Sequence, residues 1–116
     1  MDQNLQELLD RLIKFRDERD WSQFHTAKNL ALSISIEAAE LLEHFQWSTE
    51  EHQLSEEQTD SASEEIADIL IYLLLLSDRL GIDPLKAAFE KIKKNEEKYP
   101  AEIVKGKSYK YTEYID

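Results

Sequence analysis

Cysteine is absent from the chain, so neither disulfide bonds nor thiolate metal sites can form. Only two glycines and two prolines occur among the 116 residues, which leaves little material for the tight turns of a many-stranded sheet. Basic residues are also few, since 14 Lys and Arg stand against 25 Asp and Glu and give a formal net charge of −11. This charge argues against a nucleic-acid polymer as partner. A free nucleotide stays possible, because a divalent cation can neutralise both a polyphosphate and an acidic site.

Long apolar segments are missing as well. The longest apolar run, residues 66–76, contains Asp68 and is far shorter than the roughly 18 residues that span a bilayer. The first residues are amphipathic and acidic, without the apolar centre of a signal peptide. We therefore expect a soluble, cytoplasmic protein with no membrane partner, and the absence of cysteine is compatible with a reducing compartment.

The chain shows clear helical periodicity. Leu, Ile, Ala, Glu and Lys dominate, as expected for a bundle of helices. The spacing of apolar residues predicts four helices, over about residues 2–19, 26–45, 55 or 61 to 80, and 84–98. The polar stretch 47–59 is expected to be a loop, with at most a short helical turn. The tail, residues 101–116, shows no clear periodicity, and no secondary structure is assigned to it.

Residues that commonly cap helices stand at the predicted ends. Thr26 is suited to begin the second helix, and either Ser55 or Ser61 can begin the third, because each is followed three residues later by Gln or Glu. Gly81 is suited to end the third helix. Asp83 and Pro84 then form the start of the fourth.

The length suggests one small domain, which we place at residues 1–100, followed by a C-terminal tail over residues 101–116. The tail is expected to lie on the same or on a neighbouring subunit. The third predicted helix is apolar nearly all the way round, which a small monomeric bundle rarely accommodates. The expected fold is therefore an all-α, four-helix bundle that assembles as a homo-oligomer.

Two pairs of carboxylates interrupt the apolar pattern. Glu37 and Glu40 are three residues apart on the second predicted helix, and Glu65 and Asp68 are three apart on the third. That spacing places each pair on one helix face. A carboxylate that faces an apolar interior costs several kcal/mol unless a base or a cation offsets it. No Lys or Arg is nearby in sequence, so the pattern points to a cation, although either pair alone is also typical of a solvated helix face.

Four carboxylates supply hard oxygen ligands, which suit Mg²⁺, with Mn²⁺ as a possible substitute, better than Zn²⁺. Such an ion commonly completes its shell with substrate phosphate, and a carboxylate left over can act as a general base. A ferritin-like di-iron site is disfavoured because Glu-x-x-His occurs nowhere in the chain.

Five segments resemble the all-α MazG-like nucleoside triphosphate pyrophosphohydrolase superfamily. The two metal-binding motifs of that superfamily match EAAE at residues 37–40 and EIAD at residues 65–68. The segments DWSQFHTAKNL, ELLEHFQW and KIKKNEEKYP are similar to the dCTP pyrophosphatase branch. The similarity covers roughly residues 20–100.

The resemblance implies hydrolysis of a nucleoside triphosphate, expected to be dCTP or a modified cytosine dNTP, to the monophosphate and pyrophosphate. It implies Mg²⁺ held by Glu37, Glu40, Glu65 and Asp68, and a homo-oligomer that is commonly a tetramer. Glu37 and Glu40 are the expected catalytic residues, and we name Glu40 as the candidate base.

Six further residues are candidates for binding the nucleotide. The two tryptophans lie outside the predicted helices and could stack on a base, and Lys91, Asn95 and Tyr99 share one helix stripe from which they could contact phosphate. The same stripe is also typical of a solvated basic face. The expected substrate-binding residues are Trp21, His25, Trp47, Lys91, Asn95 and Tyr99.

One position departs from the branch. Leu12 stands where members can carry a histidine among the base-facing residues, which leaves the preference for cytosine open. A phosphate contact by Lys28 is a further possibility. Two other functions are compatible with the sequence: a noncatalytic acidic interaction module, and the related phosphoribosyl-ATP pyrophosphohydrolase.

Overall fold

A computed structural model describes residues 2–46 and 54–106, and within these ranges the chain forms helices and no strands. The predicted all-α class is therefore confirmed, whereas the four-helix bundle stays a prediction. A short 3₁₀ turn at Ser22–Phe24 separates the first two helices. The α-helices are α1 Gln3–Glu18, α2 Ala27–Glu43, α3 Glu56–Leu80, α4 Pro84–Lys98 and α5 Ala101–Val104.

The helix starts follow the capping residues. The Thr26 hydroxyl accepts a hydrogen bond from the Asn29 backbone N–H at 3.1 Å and begins α2. Ser55 and Gln58 form a reciprocal capping box, so α3 begins at the earlier of the two predicted positions. The predicted loop over residues 47–59 is therefore wrong from residue 56 onwards, and residues 47–53 lie outside the described part of the chain.

The turn between α3 and α4 confirms the predicted stop and start. Gly81 has φ +69°, a left-handed conformation that glycine adopts without a steric cost, and its N–H donates to the Asp78 carbonyl. The Asp83 carboxylate accepts hydrogen bonds from the backbone N–H groups of Leu85 and Lys86. The bond from Lys86 is the main cause of a pKa below the usual value for Asp83.

The chain beyond α4 forms one further short helix. Pro100 cannot continue α4, but its carbonyl accepts hydrogen bonds from the N–H groups of Ile103 and Val104 and so begins α5. Residues 101–104 of the tail, to which the sequence pattern assigned no secondary structure, are thus helical. Residues 107–116 of the predicted tail lie outside the described ranges.

The chain divides into two compact units, Asp2–Ile82 and a second unit that begins at Asp83. The prediction of one helical domain over residues 1–100 stays a prediction. In the first unit, α2 and α1 both pack against α3. Its described core consists of apolar side chains from all three helices: Leu9, Leu30, Ala62, Leu74 and Leu75.

Parts of α3 remain uncovered in the single chain. Ile66, Leu70 and Leu73 keep 57%, 43% and 43% of their surface exposed. The homo-oligomer stays a prediction. These exposed apolar side chains support it, because a second subunit could cover them. In the described residues, no helix combines the length and apolar character needed to cross a membrane.

Candidate functional site

The two carboxylate pairs lie on α2 and α3, which pack against each other. The pKa of Glu37 is raised first by burial, then by a hydrogen bond with Glu40 and by the negative charges of Glu40, Asp68 and Glu65. We call these four residues the carboxylate group. The helix spacing explains why each pair shares a face, and the packing of α2 on α3 brings the pairs close enough to interact.

Burial within the carboxylate group is uneven. Glu37, Glu40 and Glu65 are half-buried, and Oε2 of Glu37 is buried with no hydrogen-bond partner in the described chain. Asp68 is exposed. The expectation that Asp68 faces an apolar interior is therefore wrong for the single chain, because this part of α3 borders an open cleft beside α1.

The chemistry of the carboxylate group suits a hard cation. It contains only oxygen donors, two of which, Oε2 of Glu37 and Oε2 of Glu65, are buried without a hydrogen-bond partner in the described residues, and its crowded negative charge raises the pKa of Glu37. As the side chains stand over residues 2–46 and 54–106, no three His, Asp or Glu groups have the spacing of a metal centre. The four ligands of the expected Mg²⁺ site therefore stay a prediction.

His44 is a neighbour of the carboxylate group that the motif analysis missed. It follows the last residue of α2, and its Nε2 lies 2.5 Å from Oε2 of Glu65. The two side chains are only 22% and 20% exposed. The signal was present in the sequence, because His44 lies seven residues after Glu37 and four after Glu40, on the same helical face.

A cleft of about 710 Å³ lies between α1, the segment around the 3₁₀ turn and α3. We call it the α1 cleft. Asp68 belongs both to its lining and to the carboxylate group. Apolar side chains line the cleft together with an indole, an imidazole and a phenol: Leu8, Leu12, Phe15, Ile71, Leu75, Trp21, His25 and Tyr72.

Local hydrogen bonds hold the 3₁₀ segment against its neighbours. The Trp21 backbone N–H donates to the Arg16 carbonyl at 3.0 Å, and the Trp21 ring meets Phe15 edge-on with centroids 5.7 Å apart. At the other end, the Asn29 amide donates to the Phe24 carbonyl at 3.0 Å. These contacts place Trp21 and His25, two predicted nucleotide-binding residues, in the lining of one cleft.

The α1 cleft also carries a positive rim that sequence reasoning missed. Four of the 14 basic residues of this acidic chain, Arg11, Lys14, Arg16 and Arg19, occur within nine positions of α1 and its end, and all four line the cleft. This clustering could have been recognised in the sequence. Glu18 and Asp68 also line the cleft, and Nε of Arg16 lies 2.9 Å from Oδ1 of Asp17, so the lining keeps only a small excess of positive charge.

The positive charge near the cleft affects the pKa of His25. Its pKa is lowered by burial, then by the charges of Arg16 and Arg79. Its Nδ1 is buried and has no hydrogen-bond partner in the described residues. The imidazole is therefore held toward its neutral form, with one ring nitrogen free to bond a ligand.

Tyr72 connects the two regions and was also missed. It lies one helical turn after Asp68 and lines the α1 cleft. Burial raises the pKa of Tyr72, and the charges of Glu37, Asp68 and Glu40 raise it further. A ligand in the cleft would thus lie beside the carboxylate group.

The remaining predicted site residues are not joined to the cleft by these observations. Trp47 lies outside the described residues. Lys91 and Asn95 are exposed on α4, and Tyr99 is half-buried just after that helix, all in the second unit. Lys28 is exposed on α2. Their roles stay predictions.

Comparison with known proteins identifies the family of the chain. Residues 32–114 match the sequence model of the MazG-like family. Human dCTP pyrophosphatase 1 is 39% identical over 104 residues, which is 86% of this chain and 61% of the human protein. The Bos taurus dCTP pyrophosphatase 1 is 38% identical, over 86% of this chain and 62% of that protein. The chain thus spans about three fifths of these relatives.

One solved structure is similar to this chain over nearly the whole length of the solved protein. The crystal structure of a pyrophosphatase from Archaeoglobus fulgidus is 50% identical and superposes with a TM-score of 0.73. The match covers 86% of this chain and 95% of that one.

Proposed function

The chain belongs to the MazG-like family, and from this premise we propose that it is a nucleotide pyrophosphohydrolase. It would convert a nucleoside triphosphate to the monophosphate and pyrophosphate. The names of the relatives, dCTP pyrophosphatase and pyrophosphatase, support this reaction. We propose dCTP or a modified cytosine dNTP as substrate, and removal of unwanted nucleotides from the pool as the role.

One observation carries the proposal. The charges of Glu40, Asp68 and Glu65 all raise the pKa of Glu37, so the four carboxylates are near enough to interact through their charges, beside a cleft with a positive rim. A site that concentrates negative charge is suited to bind a cation together with a polyphosphate.

Mg²⁺, for which Mn²⁺ would substitute, would be held by Glu37, Glu40, Glu65 and Asp68. When bound, such an ion neutralises phosphate charge and lowers the pKa of a bound water. Glu40 is our candidate for the base that takes the proton of the attacking water. The water oxygen bonds to phosphorus, the phosphoanhydride bond breaks, and pyrophosphate leaves.

The nucleoside would occupy the α1 cleft. Its volume of about 710 Å³ lies within the range of about 300–1,000 Å³ usual for small-molecule sites. Trp21 would stack on the base, and the unpartnered Nδ1 of His25 would bond it. Trp47, Lys91, Asn95 and Tyr99 complete the proposed binding residues, the last three toward phosphate. Leu12 offers the base an apolar contact where the dCTP branch can carry a histidine.

We further propose that the chain acts as a homo-oligomer, with a tetramer as the expected form. The exposed Ile66, Leu70 and Leu73 of α3 support this assembly, because an apolar helix face is stabilised by burial against another subunit. Its substrate class suggests the cytoplasm, where the nucleotide pool is held, as the place of action.

A nucleotide panel tests the function. The purified protein is incubated with each NTP and dNTP plus Mg²⁺, and monophosphate and pyrophosphate are measured separately. We expect pyrophosphate release, fastest for a cytosine deoxynucleotide, and none with a chelator present. A correctly assembled protein that releases no pyrophosphate from any member of the panel contradicts the proposal and favours a noncatalytic module.

A further inference from the structure

A left-handed residue that is not glycine follows α1. Asp20 has φ +54° and is the one non-glycine residue with a positive φ in the described part of the chain. Glycine is the usual residue at this position of a helix end, because a Cβ makes the left-handed conformation unfavourable. Aspartate adopts this conformation more readily than most residues, but still at a cost. Such a conformation persists where neighbouring contacts hold it.

The left-handed turn fixes the place of Trp21. The Asp20 N–H donates to the Asp17 carbonyl at 3.1 Å. The Trp21 N–H donates to the Arg16 carbonyl at 3.0 Å. These two bonds form a Schellman motif, in which the residue after the left-handed position commonly packs on the last turns of the helix. Here that contact is the edge-on packing of Trp21 on Phe15. The turn thus places the Trp21 indole in the lining of the α1 cleft.

Gln23 holds the left-handed residue from the other side. Its Nε2 donates to the Asp20 carbonyl oxygen at 3.0 Å and to Oδ2 of Asp20 at 3.1 Å. A side-chain amide has two N–H groups, so it can make both bonds at once. The backbone and the side chain of Asp20 are thus tied to the 3₁₀ turn that directly follows Trp21. We call these two bonds the Asp20–Gln23 clamp.

We propose that Asp20 and Gln23 are positioning residues of the nucleoside site, because their clamp holds Trp21 in the orientation that binds the base. This inference rests on the proposed function, in which Trp21 stacks on the base. Neither residue is part of the cleft lining, so both act through Trp21. A glycine at position 20 would end α1 without the cost of a left-handed Cβ, but it would give Gln23 no carboxylate to bond. The aspartate thus favours a fixed Trp21 over a relaxed helix end.

Three substitutions separate positioning from stability. Gln23→Glu keeps the size of the side chain but replaces the donating amide with a carboxylate, which the Asp20 carboxylate repels. Gln23→Lys keeps a donor that can reach the same two oxygens. Asp20→Gly relieves the left-handed strain and removes the carboxylate. Because Asp20 and Gln23 are both exposed, none of these changes opens a core.

Fluorine NMR of protein labelled with 5-fluorotryptophan follows Trp21 without any enzymatic activity. The chain contains two tryptophans, so Trp47→Phe identifies the resonance of Trp21. The Phe15 ring should shift that resonance away from its position in the unfolded chain. Titration with dCMP in the presence of a chelator should shift it further and gives a dissociation constant. Since dCMP carries the base and the sugar without a polyphosphate, this measurement does not depend on the cation site.

We expect Gln23→Glu and Asp20→Gly to weaken dCMP binding about tenfold, the effect of losing roughly one hydrogen bond. In both variants the Trp21 resonance should move toward its position in the unfolded chain. Gln23→Lys should bind dCMP as the wild type does. The melting temperature of Asp20→Gly should be no lower than that of the wild type, because the left-handed strain is relieved. Weaker binding without a loss of stability is the result that a purely structural role would not give.

Three outcomes overturn the inference. An unchanged Trp21 resonance with unchanged dCMP affinity in Gln23→Glu shows that the clamp positions nothing. If Asp20→Gly binds dCMP as tightly as the wild type, the left-handed aspartate serves only the helix end. If dCMP leaves the Trp21 resonance of the wild type unmoved, the base does not stack on Trp21 and the inference fails. Pyrophosphate release in the nucleotide panel would still support the proposed reaction in all three cases.

Discussion

The carboxylate group and the α1 cleft differ in the sign of the charge that each concentrates. On one side, Glu37 meets three other carboxylates, and its pKa rises. On the other, His25 lies among arginines, and its pKa falls. Each region thus disfavours the charged form of its own central side chain. Burial is the largest cause in both, and charges of like sign add to it.

This difference is informative because perturbed pKa values cluster at functional sites. An acidic region alone would suit a cation, and a basic cleft alone would suit an anion. Asp68 and Tyr72 lie at the junction, so the two sites are neighbours within one compact unit. A cation bound to a polyphosphate would satisfy both regions together, as the proposed function requires.

The largest effect is expected from removing one negative charge of the carboxylate group. Glu37→Gln or Asp68→Asn should lower kcat/KM for pyrophosphate release by more than about 100-fold, beyond the loss typical of an outer partner of a metal ligand. The matched control is Glu64→Gln on the exposed side of α3, which should keep wild-type activity. Wild-type turnover in both site variants would disprove the metal assignment.

The next effect concerns the cation alone. Because a ligand that binds only the folded state stabilises it, Mg²⁺ at 100 times its Kd should raise the free energy of unfolding by about 2.7 kcal/mol. Urea unfolding with Mg²⁺ or with a chelator measures this gain. Glu37→Gln should abolish most of it and Glu64→Gln none. An equal gain in all three proteins would place the ion elsewhere.

A smaller effect is expected from the positive rim of the cleft. Arg16→Gln should raise KM for the nucleotide by about tenfold, the equivalent of about 1.4 kcal/mol, with kcat nearly unchanged. It should also raise the pKa of His25, which NMR titration of the imidazole measures. Lys14→Gln is the control for that pKa, because Lys14 lines the cleft but does not contribute to the lowering. A constant His25 pKa in Arg16→Gln would contradict the electrostatic description.

The smallest effects concern stability against pH, and they have opposite signs in the two regions. The pKa of Glu37 is raised above 4.5, so its contribution to stability is present below pH 4.5 and is lost as the pH rises through the folded value. The pKa of His25 is lowered below 6.5, so its contribution is present above pH 6.5 and is lost as the pH falls through the folded value.

Denaturant unfolding across pH checks both signs. Glu37→Gln should be more stable than the wild type at pH 7, and that advantage should disappear below about pH 4.5. The stability of His25→Gln should increase relative to that of the wild type only as the pH falls below about 6.5. If stability depends on pH in the same way in the wild type and in both variants, the pKa values of Glu37 and His25 are not perturbed by folding.

Much of the fold could be predicted because it is set locally. Ser55, Thr26 and Asp83 cap the helices that follow them, and Gly81 adopts the left-handed turn that ends α3. These features depend on residues within about one turn, so they are visible in sequence. The short α5 was missed because the prediction took Pro100 as a stop, although its carbonyl also starts a new turn.

The site was predicted less evenly. The sequence paired Glu37 with Glu40 and Glu65 with Asp68, since each pair depends on helical spacing alone. It did not reveal that Asp68 is exposed at a cleft, or that His44 reaches Glu65. Both facts depend on which face of α3 meets which neighbour. That choice is made by packing between residues far apart in the chain.

The sequence by itself thus determined the four long helices, most of their ends and the two carboxylate pairs, because period and capping are short-range properties of the backbone. Only the tertiary structure decided that the pairs meet around Glu37 and that a basic cleft lies beside them. The physical reason is that charges interact through space. Their pKa values therefore follow distances that exist only after α1 and α2 have packed against α3.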